Sequence, residues 1–297
     1  MRFLVLGGSG QLGTQLQAIA LPHGVALIAP TRAAVDVSNL ASIRQIVAAE
    51  AWSAVIYAAG YTDVDRAESE EELAFAINAE AATCLAAETA NRGIPLIYTS
   101  TDYVFDGRKG APYVENDLTA PLNAYGRSKL SGEQGVAAAN HRHVILRTAW
   151  LYSPHGANFV RSILRLARER ERLFVVTDQI GSPTSARDLA QACVDIAIHL
   201  SREPERTDHG LYHFAGAGAA NRYEFATAII EQAAGRLGRV PHVEPISTAQ
   251  CPRPANRPAD SRLDCRAIQS AFGLTPRPWR GALAEAVDDL LSSHGVT

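Results

Sequence analysis

The sequence predicts an α/β fold in which helices cover both faces of a parallel sheet, with a smaller α/β lobe at the carboxyl end. Short apolar runs of strand length alternate with helical patterns through the first 150 residues, and such alternation is typical of parallel sheets. The tail differs, because residues 251–258 carry three prolines and residues 274–279 carry two more. Proline interrupts helices and central strands, so we expect the tail to lie over the carboxyl edge of the sheet.

Each predicted element follows from its own pattern. An apolar run at 2–6 predicts the first strand, and similar runs predict strands at 25–29, 54–57, 95–99 and 143–146. Apolar residues at helical spacing predict the helices between them, at 11–20, 39–50, 73–92 and 124–140. A further strand at 173–176 is expected to return to the sheet.

A glycine-rich turn joins the first strand to the first helix. Gly7, Gly10 and Gly13 would allow a tight turn, close approach of a pyrophosphate to bare backbone, and close packing of helix on strand. Gln11 and Leu12 open the helix, whose N-terminus would face the phosphates. The turn therefore predicts a Rossmann-type doubly wound sheet that binds a dinucleotide. The predicted nucleotide-binding domain comprises residues 1–150 with 173–200, and the substrate-binding lobe comprises 151–172 with 201–297.

Composition excludes several classes of function. The chain is 47% hydrophobic and 20% charged with a net charge of -3, and its arginines form no basic block, so we expect no nucleic-acid partner. The initial apolar run is too short for a signal peptide or a membrane span, so a cytoplasmic protein without membrane contact is expected. The four cysteines show no metal-type or paired spacing and are interpreted as reduced thiols.

Tyr125 and Lys129 carry the chemistry that the sequence predicts. The chain has only two lysines, Lys109 and Lys129, and a spacing of four places the second on the same helix face as Tyr125. An ammonium beside a phenol stabilises its anion and makes it a proton donor and acceptor. Thr101 follows the strand at 95–99, where its hydroxyl could share a carbonyl oxygen with the tyrosine. Each residue alone also fits an ordinary structural role, as a half-buried tyrosine, a solvated lysine or a loop threonine.

These residues together resemble the extended short-chain dehydrogenase/reductase family, whose members mostly act on nucleotide sugars. Within it, longer segments resemble the dTDP-4-dehydrorhamnose reductases, and they run through almost the whole chain. These segments are Tyr61–Glu68, Ser100–Gly107, Ala120–Gly126, Arg147–Tyr152, Thr177–Thr184 and Arg257–Leu263.

The resemblance implies the last step in making dTDP-L-rhamnose, in which a nicotinamide cofactor reduces the C4 ketone of the sugar. Tyr125 would donate the proton, and Lys129 would hold the nicotinamide ribose and, with the oxidised ring, lower the pKa of the phenol. Thr101 would bond the same ketone oxygen. Asp102 and Trp150 would contact the nucleotide-sugar substrate.

Cofactor preference depends on the end of the second strand. Arg32 stands where sites that prefer NAD usually carry an acid, and a cation there could pair with a 2'-phosphate. NADPH is therefore predicted, with NADH as a second cofactor that the family often accepts. The resemblance implies further contacts, with Asp36 and Val37 beside the adenine and with Gly60, Tyr61, Thr62 and Thr99 along the path to the nicotinamide.

Three alternatives stay open at this point. The resemblance implies that a nucleotide-sugar dehydratase would carry the tripeptide Thr-Asp-Glu at the position of Thr101. This chain has Tyr103 in place of the glutamate. A 4-epimerase, or a reductase of another nucleotide 6-deoxy-4-ketosugar, would use the same three catalytic residues. A regulatory subunit would bind the cofactor without catalysis, although such a chain has no chemical use for the full set.

A homodimer is expected without a structural metal. Some relatives are reported to dimerise through a metal held by acids, one of them on the first helix. The matching residue here is Gln15, and a neutral amide is a poor ligand for magnesium. A dimer of this chain would therefore need another interface.

Overall fold

A parallel sheet lies at the centre of the computed structural model, which describes residues 1–203, 205 and 207–292. The strands are β1 (Arg2–Leu6), β2 (Ala26–Ile28), β3 (Ala54–Tyr57), β4 (Leu96–Thr101), β5 (His143–Thr148), β6 (Leu151–Tyr152), β7 (Arg172–Val176), β8 (Ile180–Gly181), β9 (Thr184–Ser185), β10 (Gly210–His213), β11 (Ala220–Asn221) and β12 (His242–Ile246). Six of these described strands form the sheet in the order β2, β1, β3, β4, β5, β10, and every neighbouring pair is parallel. The order reverses between β1 and β3, and ligands of such sheets bind beside this point, at the carboxyl ends of the strands.

Helices cover both faces of the sheet. They are α1 (Gln11–Ala18), α2 (Leu40–Ala49), α3 (Glu71–Phe75), α4 (Ala81–Ala90), α5 (Ala124–Ala139), α6 (Phe159–Glu169), α7 (Ala186–Arg202), α8 (Arg222–Ala233), α9 (Arg266–Phe272) and α10 (Trp279–Ser292). Along β1, Phe3 and Val5 point to a core shared with α1 and α7, whereas Leu4 and Leu6 point to a core shared with α2 and α4. The alternation follows from the pleat of a strand. The predicted doubly wound α/β fold is confirmed.

The strand predicted at 173–176 exists but does not return to the main sheet. It is β7, and it pairs with β12 in a separate two-stranded sheet. The sixth strand of the main sheet is instead β10, whose register places Gly210 opposite Val144 and His213 opposite Arg147. An apolar run predicts a strand without specifying its partner, and β7 buries only alternate residues, with Phe174 60% exposed. The division into two domains stays a prediction, and residues 204, 206 and 293–297 of the predicted lobe lie outside the described residues.

A second hydrophobic core lies around Phe225 on α8. Tyr152, Phe159 and Trp279 contact its ring with centroid distances of 5.5–5.6 Å. Helices α6, α8 and α10 contribute most of the remaining side chains. Among the described residues, no helix is both long and apolar enough to cross a membrane.

Residues 255–263, which we name the C-terminal strap, cross the carboxyl side of the main sheet. The backbone N–H of Asp260 donates to the carbonyl of Gly107 at 3.2 Å, and that of Ser261 donates to the carbonyl of Ile180 at 2.9 Å. Gly107 has a φ of 76°, and a Cβ there would lie 2.6 Å from the nitrogen of Ala259. The strap therefore packs directly on the loop that follows β4.

Candidate active site

The glycine turn is sterically specified at two of its three glycines. Gly7 has a φ of 99°, and a Cβ on it would lie 2.3 Å from the nitrogen of Ala59. A Cβ on Gly13 would lie 2.1 Å from the carbonyl oxygen of Gly7. Gly10 meets the same oxygen at an ordinary 3.5 Å. Gly7 and Gly13 therefore let β1, β3 and α1 pack closely together, whereas the backbone at Gly10 stays open at the start of the helix.

The two residues after Gly10 differ in what they can offer a ligand. Leu12 is 4% exposed and its side chain lies in the core, so only its backbone N–H could face a phosphate. Gln11 donates to the carbonyl of Ala157 at 3.4 Å, and its Oε1 is buried without a hydrogen-bond partner. A buried acceptor of this kind fits a donor group of a ligand.

The loop after β2 presents a cation to solvent. Arg32 is exposed, and its charge contributes to lowering the pKa of Asp36. The main cause of that lowered pKa is the hydroxyl of Ser38, which donates to the Asp36 carboxylate at 2.8 Å. Val37 packs half-buried against the core beneath. Arg32 is therefore placed at the edge of the predicted adenine site.

Asn78 fixes the loop after β3, and the sequence reasoning missed it. Its side chain accepts from the N–H of Tyr61 at 2.9 Å and donates to the carbonyl of the same residue at 3.1 Å. It also donates to the hydroxyl of Ser128 at 2.9 Å. Asn78 lies in a π-helical segment, Ala76–Glu80, and such segments often mark functional sites. A buried asparagine inside an apolar helical run is the signal that could have identified it.

Gly60 lies beside this asparagine and Lys129. A Cβ on Gly60 would lie 3.6 Å from Lys129 Nζ and 3.3 Å from the side-chain oxygen of Asn78. The phenol of Tyr61 donates to Glu70 at 2.6 Å. Gly60 therefore gives the loop room to pass close to the lysine.

Lys129 is buried at the carboxyl end of β4. Its Nζ donates to the carbonyl of Thr99 at 2.7 Å and lies 4.6 Å from the ring centroid of Tyr98. Burial lowers the pKa of Lys129 to about 7, against an opposing effect of Glu133 one turn further along α5. A lysine with this pKa is protonated in only part of the population near neutral pH.

Tyr125 and Thr101 come together as the sequence predicted. Burial raises the pKa of Tyr125, and a hydrogen bond with the Thr101 hydroxyl opposes that rise. The ring packs edge-on against Tyr103 at 6.0 Å. Lys129 Nζ donates to the carbonyl of Thr99, and the raised pKa of Tyr125 follows from burial. In the protein alone the pKa of the phenol is raised, and the lowering expected in the complex with oxidised cofactor stays a prediction.

Asp102 lies next to Thr101 and is 2% exposed. Its carboxyl accepts from Thr101 Oγ1 at 3.1 Å and from Ser261 Oγ at 2.5 Å. Burial raises the pKa of Asp102 to about 6, although these two hydrogen bonds and the charge of Arg222 oppose the rise. A carboxyl with this pKa carries a proton in part of the population near neutral pH.

Two arginines converge on Tyr103 from distant parts of the chain. Arg222, at the start of α8, and Arg257, in the C-terminal strap, both lie near its phenol, and their charges oppose the rise in its pKa that burial causes. Arg257 also donates to Asp65 at 2.6 Å. The sequence reasoning assigned neither a role: no local pattern distinguished Arg222 in a chain so rich in arginine, and Arg257 was noted only as the start of a segment that carries the family resemblance. Their charges make this wall of the site positive.

Trp150 lies between Arg222 and β8. The guanidinium of Arg222 lies 3.5 Å from the indole centroid, and a Cβ on Gly181 would lie 2.4 Å from Cε2 of the same indole. Trp150 has a φ of 46°, the one positive value of a non-glycine residue in the described ranges. Such backbone strain occurs preferentially at functional sites.

Comparisons with known proteins agree across the chain. The family model described as RmlD substrate binding domain matches residues 1–292. A dTDP-4-dehydrorhamnose reductase of Sinorhizobium fredii is 41% identical over 98% of both chains. A protein of the same name from Mycobacterium tuberculosis is 42% identical over 96% of this chain and 92% of its own. The chain belongs to the dTDP-4-dehydrorhamnose reductase family.

Solved structures of this family have the same architecture. The dTDP-4-dehydrorhamnose reductase of Bacillus anthracis, solved in complex with NADP, superposes with a TM-score of 0.89 at 35% identity. The alignment covers 97% of this chain and 99% of the other. The family resemblance predicted from the sequence is therefore confirmed.

Proposed function

We propose that this protein reduces the C4 ketone of dTDP-4-dehydro-L-rhamnose to dTDP-L-rhamnose with NADPH. The observation that carries the proposal is that Tyr125 lies beside Thr101 at the carboxyl end of β4, where Lys129 bonds the carbonyl of Thr99. The glycine turn follows β1 at the same edge of the sheet. The membership of the chain in a family of reductases with this name supports the substrate.

The chain fits the cofactor at several points. The backbone at Gly10, the buried Gln11 Oε1 and the space beside Gly60 would accommodate it, and Arg32 would pair with the 2'-phosphate. Lys129 would hold the nicotinamide ribose. NADPH bound there would supply a hydride to the ketone carbon. The NADP complex of the Bacillus anthracis relative supports this cofactor.

The protein's own contribution to the chemistry is a proton and its placement. Negative charge develops on the ketone oxygen during reduction, and a hydrogen bond stabilises it. The raised pKa keeps Tyr125 protonated at neutral pH, so its phenol acts as the proton donor. Thr101 would fix the position of the same oxygen.

The positive wall would bind the rest of the substrate. Arg222 and Arg257 carry two guanidinium groups that suit a nucleotide diphosphate. Asp102 would accept from a sugar hydroxyl, and the indole of Trp150 would lie against the deoxysugar. Tyr103 stands where a dehydratase would need an acid, which favours reduction over elimination of water.

The test is turnover of the purified protein with dTDP-4-dehydro-L-rhamnose. We expect loss of NADPH absorbance and a dTDP-L-rhamnose product identified by NMR. An epimerase would change the sugar without net cofactor oxidation, and a regulatory subunit would bind NADPH without turnover. Absence of cofactor oxidation by a folded protein that binds NADPH would rule out the proposal.

Cofactor preference has its own test. Arg32→Ser should reduce the ratio of kcat/KM for NADPH over NADH by roughly tenfold, because one charge-assisted pair to the phosphate is removed. An unchanged ratio would place the recognition of the 2'-phosphate elsewhere. The cytoplasmic location and the homodimer stay predictions.

A further inference from the structure

Ser261 in the C-terminal strap contacts the catalytic end of β4 from 159 residues away. Its Oγ donates to Asp102 Oδ2 at 2.5 Å, and the two residues are 1% and 2% exposed. The backbone N–H of Ser261 donates to the carbonyl of Ile180 at 2.9 Å. The hydroxyl is therefore held against one chosen oxygen of the carboxyl.

The other oxygen of Asp102 faces Thr101. When Asp102 is ionised it has no proton, so the Thr101 hydroxyl must donate to Oδ1, 3.1 Å away. Thr101 Oγ1 already accepts from the N–H of Tyr103 at 3.2 Å, and its remaining lone pair then faces the phenol of Tyr125. In this state the single proton of Thr101 is committed to Asp102, and the hydroxyl cannot donate to a ketone.

A neutral Asp102 reverses this arrangement. Its proton must sit on one of two oxygens, and Oδ2 already accepts from Ser261. The carbonyl oxygen of a carboxylic acid is a better acceptor than its hydroxyl oxygen, so donation from Ser261 to Oδ2 favours the proton on Oδ1. There it points to Thr101, which accepts it and turns its own proton outward. Tyr125 and Thr101 can then both donate to the ketone oxygen.

We propose that Ser261 is a positioning residue that, by donating to Oδ2 of Asp102, directs the carboxyl proton to Oδ1 and so orients Thr101 toward the substrate ketone. The inference rests on the proposed ketone reduction. A residue of the strap would thus control the orientation of a hydroxyl on β4. It would do so without a net proton transfer, by fixing which carboxyl oxygen of Asp102 carries the proton.

The groups around Asp102 set the pH at which this happens. Arg222 from α8 favours the ionised carboxyl, Ser261 and Thr101 favour it by hydrogen bonding, and burial favours the neutral form. Tyr103 is adjacent in sequence, and Tyr125 faces the carboxyl from α5. Because the Ser261 bond lowers the pKa of Asp102, its removal raises that pKa.

The experiment compares the pH dependence of kcat in wild type and Ser261→Ala at saturating NADPH and sugar nucleotide. In wild type we expect kcat to rise as the pH falls through about 6. In the variant the midpoint should move to higher pH, and the plateau should fall by about twofold because two oxygens then share the proton. KM should change little, and Ser261→Thr, which keeps a hydroxyl, should restore the wild-type midpoint.

Two further variants test whether the midpoint of the pH profile depends on the contact between Ser261 and Asp102. Ser201→Ala removes a hydroxyl that donates to the carbonyls of Ala197 and Ser53 at 2.6 and 3.0 Å, on α7, and it should leave the midpoint in place. Asp102→Asn should abolish the pH-dependent limb, because an amide does not titrate. A limb that survives in Asp102→Asn would overturn the inference.

The outcome for wild type separates this inference from the proposed function. A wild-type protein without turnover overturns both. A wild-type protein that turns over, with a midpoint identical in Ser261→Ala, overturns only the role of Ser261. A midpoint that shifts upward in Ser261→Ala and returns in Ser261→Thr supports it.

Discussion

The predicted cofactor side and the predicted substrate side of the candidate site are assembled in different ways. On the cofactor side, the glycine turn follows β1 directly, Gly60 lies in the loop after β3, and Lys129 contacts Thr99 on β4. On the substrate side, Arg222 and Ser261 come from α8 and from the strap, far along the chain. Consecutive strands of a parallel sheet specify the first side locally. The second side exists only when the carboxyl-terminal elements pack onto the sheet.

The largest expected effect lies where the two sides meet. Tyr125→Phe removes the proton donor, so kcat should fall by about 10²- to 10⁴-fold. The dissociation constant of NADPH, measured by fluorescence, should stay near the wild-type value because the cofactor contacts are intact. A variant with near-normal kcat would show that another group donates the proton.

The next effect tests the cofactor side alone. Gly13→Ala places a Cβ 2.1 Å from the carbonyl oxygen of Gly7, and relieving such a clash costs about 1–3 kcal/mol, so NADPH should bind up to about 100-fold more weakly. Gly281→Ala on α10 is the matched control, since no atom lies within 4 Å of a Cβ placed there. Titration calorimetry with NADPH compares the two, and equal affinities would contradict the steric argument.

A smaller effect tests the substrate side. Arg222→Met should raise KM for the sugar nucleotide about 20-fold, the contribution of one charge-assisted hydrogen bond, while leaving NADPH affinity unchanged. Arg165→Met on α6, an exposed arginine paired with Glu169, is the control and should change neither. If NADPH affinity fell in Arg222→Met, the two sides would not be separable.

The smallest effect concerns the charge of Lys129. Its pKa of about 7 in the protein alone means that the ammonium is present below that pH and lost above it. From pH 6 to pH 8 NADPH should therefore bind about tenfold more weakly. Lys129→Met should bind weakly at every pH, and a flat wild-type profile between pH 6 and 9 would contradict the lowered pKa.

Much of the fold and the residues of the predicted cofactor side could be proposed from the sequence. Strands and helices up to residue 150 were placed within a few residues, because each depends on a local apolar pattern. The helix predicted at 73–92 is interrupted by the π-helical segment at Asn78, which depends on hydrogen bonds to Tyr61 and Ser128. The sheet partner of β7 could not be predicted, because a strand pattern does not name its neighbour.

The sequence by itself determined the glycine turn, the alternation of strands and helices, and the placement of Tyr125 and Lys129 on one helix face. Each is a property of neighbours along the chain. Only the tertiary structure decided that Lys129 bonds Thr99 and that Ser261 reaches Asp102. Those contacts join residues that no periodicity relates, and their pKa shifts come from burial, which exists only after the chain has folded.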